Sequence, residues 1–128
     1  MKPDNIFSNI PCKLEQEMFE SILNNQTVKI ERIISKGQTS PDSGWFDQEK
    51  NEWVILLKGK AIVAFENQTP ILLNEGDFIN IPSHTKHRVT WTDPDNETVW
   101  LAVHYWTNTA IVIQDQWEFI MCKAQFQW

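Results

Sequence analysis

The chain has 128 residues, of which 11 are basic and 17 acidic, and its formal net charge is −6. This length fits one domain with a single hydrophobic core. The acidic balance argues against a nucleic acid or an anionic membrane as partner, because binding to either requires clustered Lys and Arg.

No targeting or membrane-spanning segment is recognisable. Residues 1–20 lack the continuous apolar run of a signal peptide, and no later stretch approaches the roughly 20 apolar residues of a membrane span. We therefore expect a soluble, cytoplasmic protein. Cys12 and Cys122 stand near opposite ends without a CxxC pair, which indicates thiols rather than a disulfide or zinc framework.

The first predicted element is a short amphipathic helix within residues 12–25. Leu14, Met18 and Ile22 recur every four residues, and Asn24-Asn25 gives a turn signal at the end. We assign residues 1–26 to an N-terminal helical segment that packs on the body of the protein.

The middle of the chain predicts short strands separated by turns. Residues 28–35 alternate loosely between apolar and polar, and from Glu52 to Tyr105 apolar runs are interrupted at short intervals, with Gly59 and Gly76 where the chain must reverse. Strands without intervening helices favour an antiparallel sandwich or barrel, which we place at residues 27–113. The expected core includes Val54, Leu56, Ile62, Phe78, Ile81, Val89 and Leu101.

Residues 114–128 are the predicted C-terminal extension. Asp115 and Glu118 fit a capping box. Trp117, Ile120 and Met121 share one helical face, so a C-terminal helix is expected.

Two segments have the spacing of known motifs. Residues 52–59, EWVILLKG, read E-x6-G, and residues 76–87, GDFINIPSHTKH, read G-x5-P-x4-H. In this order and at this separation they resemble the two motifs of the cupin superfamily, over roughly residues 45–105. The resemblance implies an all-β fold, a small antiparallel barrel of the jelly-roll type.

The resemblance also implies a divalent-metal site inside the barrel. Cupins supply two histidines as H-x-H before the glutamate of the first motif, and another histidine from the second. Glu52 and His87 match ligand positions, whereas counting back from Glu52 puts Trp45 and Asp47 at the H-x-H positions. Asp47 can still ligate through oxygen, and carboxylates with imidazole suit Fe, Mn or Zn.

Strand alternation supports an inward His87. In HRVTW, a period of two places His87, Val89 and Trp91 on one face. A buried imidazole needs partners for both nitrogens, and Glu52 supplies one by a direct hydrogen bond or through a shared metal; the sequence leaves both open. His104 is either a further ligand or an outer-face residue, because the sequence does not set the register of its strand.

Aromatic residues form a second set of candidates. Trp45, Trp91 and Trp100 either wall a ligand pocket, with His84 at its rim, or belong to the core or an interface. The chain has seven Trp and seven Phe, more large aromatics than one small core readily hides. Exposed apolar surface of this kind favours association, and the resemblance implies the same, because cupin-like barrels commonly form dimers. We therefore expect a homodimer.

Two functional classes follow from this interpretation. In one, the barrel binds or senses a small molecule, with or without a structural metal. In the other, the protein is a metal-dependent cupin enzyme of the dioxygenase, isomerase or decarboxylase type. A purely structural dimer is a third reading. The absence of the first-motif histidines favours the binding protein, and the sequence does not decide whether the protein is an enzyme.

Overall fold

The computed structural model describes residues 1–107. Eight strands occupy this part of the chain and no helix occurs in it. The strands are β1 (Met18–Asn24), β2 (Val28–Ser35), β3 (Asn51–Lys58), β4 (Ala61–Phe65), β5 (Ile71–Leu73), β6 (Phe78–Ile81), β7 (His87–Thr92) and β8 (Thr98–Tyr105).

The strands form two antiparallel sheets. The larger has the order β1-β2-β8-β3-β6, and the smaller has the order β5-β4-β7. Side chains from both sheets meet in one apolar cluster, so the sheets enclose the core between them. This confirms the predicted all-β antiparallel barrel. The predicted C-terminal helix and the boundary at residue 113 lie outside the described residues.

The predicted N-terminal helix is wrong. Residues 18–24 form β1, which pairs with β2 at the edge of the larger sheet, with Met18 opposite Ile34 and Glu20 opposite Arg32. The apolar spacing of four residues that suggested a helix is also a multiple of two, so it is equally compatible with one face of a strand. The open edge of β2 supplies the backbone partners, and pairing therefore decides the outcome.

Arg32 ties the N-terminal segment to the barrel. Its side chain is 6% exposed, and it donates to the carbonyls of Ile6 and Ser8 and pairs with Glu20. Gln38 holds the same segment further along by donating to the carbonyl of Leu14 at 2.9 Å. The residues before β1 are therefore fastened to the sheet.

Within residues 1–107, the structure has no helix that is long and apolar enough to cross a membrane.

The core agrees in part with the prediction. Val54, Leu56 and Ile81 are buried, and Val89 packs against the cluster while half-buried. Phe78 is 61% exposed, so its predicted core position is wrong. It pairs with Ile55 on the outer face of the larger sheet, whereas its neighbour Ile79 pairs with Val54 on the inner face. The other two predicted core residues, Ile62 and Leu101, are half-buried.

The turn between β3 and β4 requires glycine. Gly59 has φ +91°, and a Cβ built there would lie 2.6 Å from Oγ1 of Thr98. Any larger residue would both strain the backbone and collide with β8. This glycine, the last residue of the first motif, therefore sets the close approach of the hairpin to the neighbouring strand.

Candidate functional site

A cavity of about 220 Å³ lies between the two sheets. Its apolar walls come from both sheets: Ile33, Val54, Ile81, Trp100, Val63 and Val89. These side chains belong to the core cluster or pack against it, so close packing behind them holds the walls in place. A space of this size accommodates roughly seven water-sized groups.

Three polar side chains from neighbouring strands of the larger sheet line part of this cavity. They are Glu31 on β2, Glu52 on β3 and His104 on β8. Strand β8 lies between the other two, and Glu52 and His104 are direct cross-strand partners. Nε2 of His104 lies 2.9 Å from Oε1 of Glu31 and 3.7 Å from Oε1 of Glu52. One imidazole therefore contacts two carboxylates on either side of it.

Glu31 is held in its charged form. The hydrogen bond from His104 lowers the pKa of Glu31 below its ordinary value of 4.5, and Lys29 acts in the same direction, although burial opposes both. The Lys29 ammonium lies 3.4 Å from Oε2 of Glu31, and its side chain is 38% exposed. Glu31 is therefore a carboxylate at neutral pH.

His87 reaches the same cavity from the smaller sheet. Its side chain is 8% exposed, and Nδ1 donates to the carbonyl of Thr85 at 2.8 Å. Nε2 faces the carboxylate of Glu52, 3.5 Å from Oε2. Burial by itself lowers the pKa of His87, but the contacts with Glu52 and Thr85 outweigh it, so the pKa is raised above 6.5. Phe46 and Phe65 flank the ring, with centroids 6.0 and 6.1 Å away.

A second polar group in the cavity wall comes from the segment before β1. Glu17 accepts a hydrogen bond from Oγ of Ser35 at 2.8 Å, and Ser35 in turn accepts one from the indole of Trp100 at 3.3 Å. Burial raises the pKa of Glu17 above 4.5, the charge of Glu31 adds to this, and the Ser35 hydrogen bond opposes it. The ionised form of Glu17 is therefore less stable than the ionised form of Glu31.

The H-x-H positions of the first motif lie one residue later than the sequence count suggested. Phe46 and Gln48 line the cavity, whereas Trp45 and Asp47 do not. Phe46 exchanges two backbone hydrogen bonds with His87, of 2.8 and 3.1 Å, and this pairing sets the alternation of side chains in the segment. Gln48 then reaches Oε2 of Glu52 with its amide, at 3.4 Å.

The other side of this segment faces solvent. Asp47 pairs with His84, with Oδ1 and Nδ1 2.7 Å apart, and the side chains are 42% and 63% exposed. Trp45 lies under the guanidinium of Arg88, 4.6 Å from the ring centroid. Asp47, His84 and Trp45 are therefore placed outside the cavity, and Asp47 does not converge with Glu52 and His87 as expected.

Of the other two predicted pocket tryptophans, Trp100 lines the cavity and Trp91 does not. Val63 pairs with Val89 but the preceding residue pairs with Trp91, so Thr90 is an extra residue in β7. Such a bulge reverses the alternation beyond it. Trp91 therefore turns outward and is 37% exposed, while Thr92 is buried in its place.

Several residues that line the cavity were not anticipated, among them Glu17, Glu31, Phe46 and Gln48. The signal for Glu31 was available, because it stands two residues before the apolar Ile33 in a predicted strand and so shares its face. Phe46 and Gln48 were missed by a single residue of register. Glu17 carried no signal once its segment was interpreted as a helix.

The polar cluster has donors of a kind suited to Fe, Mn or Zn, but their arrangement does not fit a metal ion. The contacts run in a chain from Glu31 to His104, Glu52 and His87, and among residues 1–107 no three His, Cys, Asp or Glu side chains are grouped so as to hold an ion. At the H-x-H positions of the first motif, where histidines would complete a metal site, the chain has Phe46 and Gln48.

Comparison with known families agrees with the geometry. The model of the family described as Cupin domain matches residues 32–104, which covers the cavity residues on β3, β7 and β8. No curated protein is significantly similar to the chain.

Solved structures extend the comparison. A crystal structure from Ralstonia eutropha JMP134, of a protein provisionally named mannose-6-phosphate isomerase, is 41% identical, with a TM-score of 0.80, covering 84% of this chain and 100% of that one. A cupin superfamily protein from Desulfitobacterium hafniense DCB-2 is 17% identical, with a TM-score of 0.63 and coverages of 77% and 84%. An RmlC-like cupin with a double-stranded β-helix fold, from Methanocaldococcus jannaschii, is 19% identical, with a TM-score of 0.60 and coverages of 75% and 85%. The last two are alike in fold alone.

Proposed function

Because this chain belongs to the cupin domain family, we propose that its barrel binds a small organic molecule in the cavity bordered by Glu31, Glu52, His87 and His104. The observation that carries the proposal is the cavity itself, which has apolar walls from both sheets and is bordered by several polar side chains, these four among them. Apolar walls with a few placed polar groups are the usual composition of a small-molecule site.

The size and rigidity of the cavity support a small ligand. Its volume of about 220 Å³ is below the range of roughly 300–1,000 Å³ typical of drug-sized ligands. Val54, Val63, Ile81 and Trp100 are each less than 6% exposed, so the walls are part of the packed core. A ligand with a compact apolar body and one polar end matches this lining.

The proposal is tested by filling the cavity. Val89→Phe would place a phenyl ring where a half-buried valine now lines the wall, and Thr90→Phe would add the same ring at the exposed bulge next to it. Saturation-transfer NMR with a set of small cationic, neutral and anionic compounds should detect ligands of the wild type and of the Thr90 variant, and lose them for the Val89 variant. Equal binding by both variants would contradict a site in the cavity.

A second candidate is an enzyme of the isomerase type, which the name of the 41% identical structure favours. Aldose–ketose isomerisation moves a proton between adjacent carbons and needs a general base, which the Glu52 or Glu31 carboxylate could supply. The lining argues against a sugar phosphate, because no Lys or Arg of residues 1–107 lines the cavity to hold the phosphate group.

Metal analysis and an isomerase assay separate the two candidates. Protein purified without a histidine tag would be assayed for bound Fe, Mn and Zn and for conversion of mannose 6-phosphate, before and after treatment with chelator. Stoichiometric metal together with chelator-sensitive turnover would favour the enzyme. Metal-free protein that retains its NMR ligands favours the binding protein.

A further inference from the structure

We infer that the ligand of this cavity carries a cationic ammonium group, which binds between the Glu52 carboxylate and Nε2 of His87. This inference rests on the proposed binding function and narrows it to one class of compound. Three features support the inference. Two neighbouring acceptors have too few hydrogen-bond donors, carboxyl groups but no Lys or Arg of the described residues line the cavity, and apolar space lies beside these groups.

The first feature is the pairing of two acceptors. A carbonyl can only accept, so the contact with Thr85 fixes the proton of a neutral His87 on Nδ1 and leaves Nε2 as a bare acceptor. That nitrogen faces Oε2 of Glu52 at 3.5 Å, beyond the usual length of an N–H···O hydrogen bond. His87 is more than nine-tenths buried, and no other residue of the described chain offers Nε2 a hydrogen bond. In the free protein a proton on Nε2, which the raised pKa of His87 favours, can fill this place; a ligand donor replaces that proton and bonds both acceptors.

The second acceptor is underbonded as well. A carboxylate has about four acceptor sites. Within residues 1–107, Glu52 receives one hydrogen bond, the 3.4 Å contact from the amide of Gln48, although its side chain is only 13% exposed. His104 stands 3.7 Å away and gives its Nε2 proton to Glu31 instead. An ammonium group brings three donors to this position, whereas a hydroxyl group brings one.

The charge of the lining favours a cation over a neutral donor. Three carboxyl groups line the cavity, from Glu17, Glu31 and Glu52, and no Lys or Arg of the described residues does. Lys29 contacts Glu31 from outside the lining, and its side chain is 38% exposed. A charge-assisted hydrogen bond is roughly twice as strong as a neutral one, and the partly dry surroundings strengthen it. An anionic ligand would meet repulsion from the same groups.

The apolar part of the cavity sets the rest of the ligand. Trp100 and Val54 stand on the same faces of β8 and β3 as His104 and Glu52, further along each strand, so the walls continue directly from the polar end. A primary amine with a compact hydrocarbon or aromatic body fills such a space. Benzylamine, benzyl alcohol and benzoate share one ring and nearly one volume, and they differ in the charge and donors of the polar end.

The test compares these three probes by titration calorimetry at neutral pH with wild type, Glu52→Gln and Glu66→Gln. Glu66 is an exposed residue paired with Lys86 and serves as the matched control. We expect benzylamine to bind the wild type at least about tenfold more tightly than benzyl alcohol, with benzoate the weakest. Glu52→Gln should remove the preference for the amine and keep the affinity for the alcohol, which shows that the cavity is intact. Glu66→Gln should behave as the wild type.

Each other outcome has a defined meaning. Benzyl alcohol or benzoate binding as tightly as benzylamine, in a manner blocked by Val89→Phe, overturns the ammonium inference and leaves the proposed binding function standing. An amine preference that survives Glu52→Gln also overturns it. No binding of any probe, while the cavity-filling variant still abolishes other ligands, overturns the inference alone; absence of every Val89-sensitive ligand removes the binding function itself.

Discussion

Glu52 and His104 are direct partners across β3 and β8, and Nε2 of the imidazole lies 3.7 Å from Oε1 of the carboxylate. On the other side of β8, the same nitrogen lies 2.9 Å from Glu31. Strand β8 thus carries one imidazole between two carboxylates. The side chains of Glu31, Glu52 and His104 are 10%, 13% and 13% exposed. Two like charges can be held this close because a proton donor stands between them.

Removal of that donor should destabilise the protein at neutral pH. His104→Ala removes the hydrogen bond from His104 to Glu31 and leaves only the contact with Lys29, and the loss of a buried charged hydrogen bond costs about 1–3 kcal/mol. The pKa of Glu31 is lowered, so this stabilisation is present above pH 4.5 and is lost as pH falls through the lowered value. Urea unfolding should therefore show a difference between wild type and variant that shrinks on acidification. His84→Ala, at an exposed ion pair, should change stability little at any pH.

Glu17→Gln should have the opposite effect. Burial raises the pKa of Glu17, so the folded protein binds its proton more tightly than the unfolded chain does. This contribution favours folding below pH 4.5 and is lost as pH rises through the raised pKa. Glutamine keeps an oxygen to accept the hydrogen bond from Ser35 without the buried charge. We expect the variant to be more stable by about 1 kcal/mol or less at pH 7, and equal to the wild type near pH 4, in thermal unfolding. A loss of stability at pH 7 would contradict this account.

The barrel could be predicted from the sequence because turn-punctuated alternation and two spaced motifs indicate the same fold. The position of Glu52 and of His87 followed from those motifs. The pairing of strands that are distant in the sequence, by contrast, cannot be predicted from a local sequence pattern. The register that brings His104 beside Glu52 depends on the neighbours of β8, and the pairing of β1 depends on the open edge of β2.

Single-residue shifts account for the remaining errors at the site. The extra residue Thr90 turns Trp91 to the outside, and the backbone pair between Phe46 and His87 places Gln48, rather than Asp47, beside Glu52. Because side chains alternate along a strand, a shift of one residue exchanges the inner and outer faces. No propensity distinguishes these alternatives, since either face is acceptable to the residues concerned.

The core of the barrel should respond strongly to truncation. Leu56 is fully buried at the centre of the apolar cluster, so Leu56→Ala should cost about 2–5 kcal/mol through lost burial and the cavity left behind. Leu72 is the same residue type on β5 but is 51% exposed, and its replacement by Ala should cost well under about 1 kcal/mol. Urea unfolding of both variants measures the contrast. Similar losses for the two leucines would contradict the assignment of the core.

The last prediction concerns association, which we propose to be a homodimer through exposed apolar surface. Phe78 is 61% exposed on the outer face of the larger sheet, where its ring contacts that of Trp53 with centroids 5.5 Å apart. Ile71 and Leu72 line a surface depression together with Phe78. Monomers seldom leave such patches uncovered. We expect sedimentation at tens of micromolar to report about twice the 15.1 kDa chain mass.

A pair of variants locates the contact. Phe78→Ser should shift the protein to the monomer, because it removes the largest exposed side chain of the patch, while its outward position on β6 leaves the core unchanged. Phe7→Ser serves as control, since Phe7 is 49% exposed in the segment before β1. A wild type that sediments only as the 15.1 kDa species would refute the dimer. A dimer that survives the change at Phe78 would place the interface on another face, because polar serine at the centre of an apolar contact weakens association.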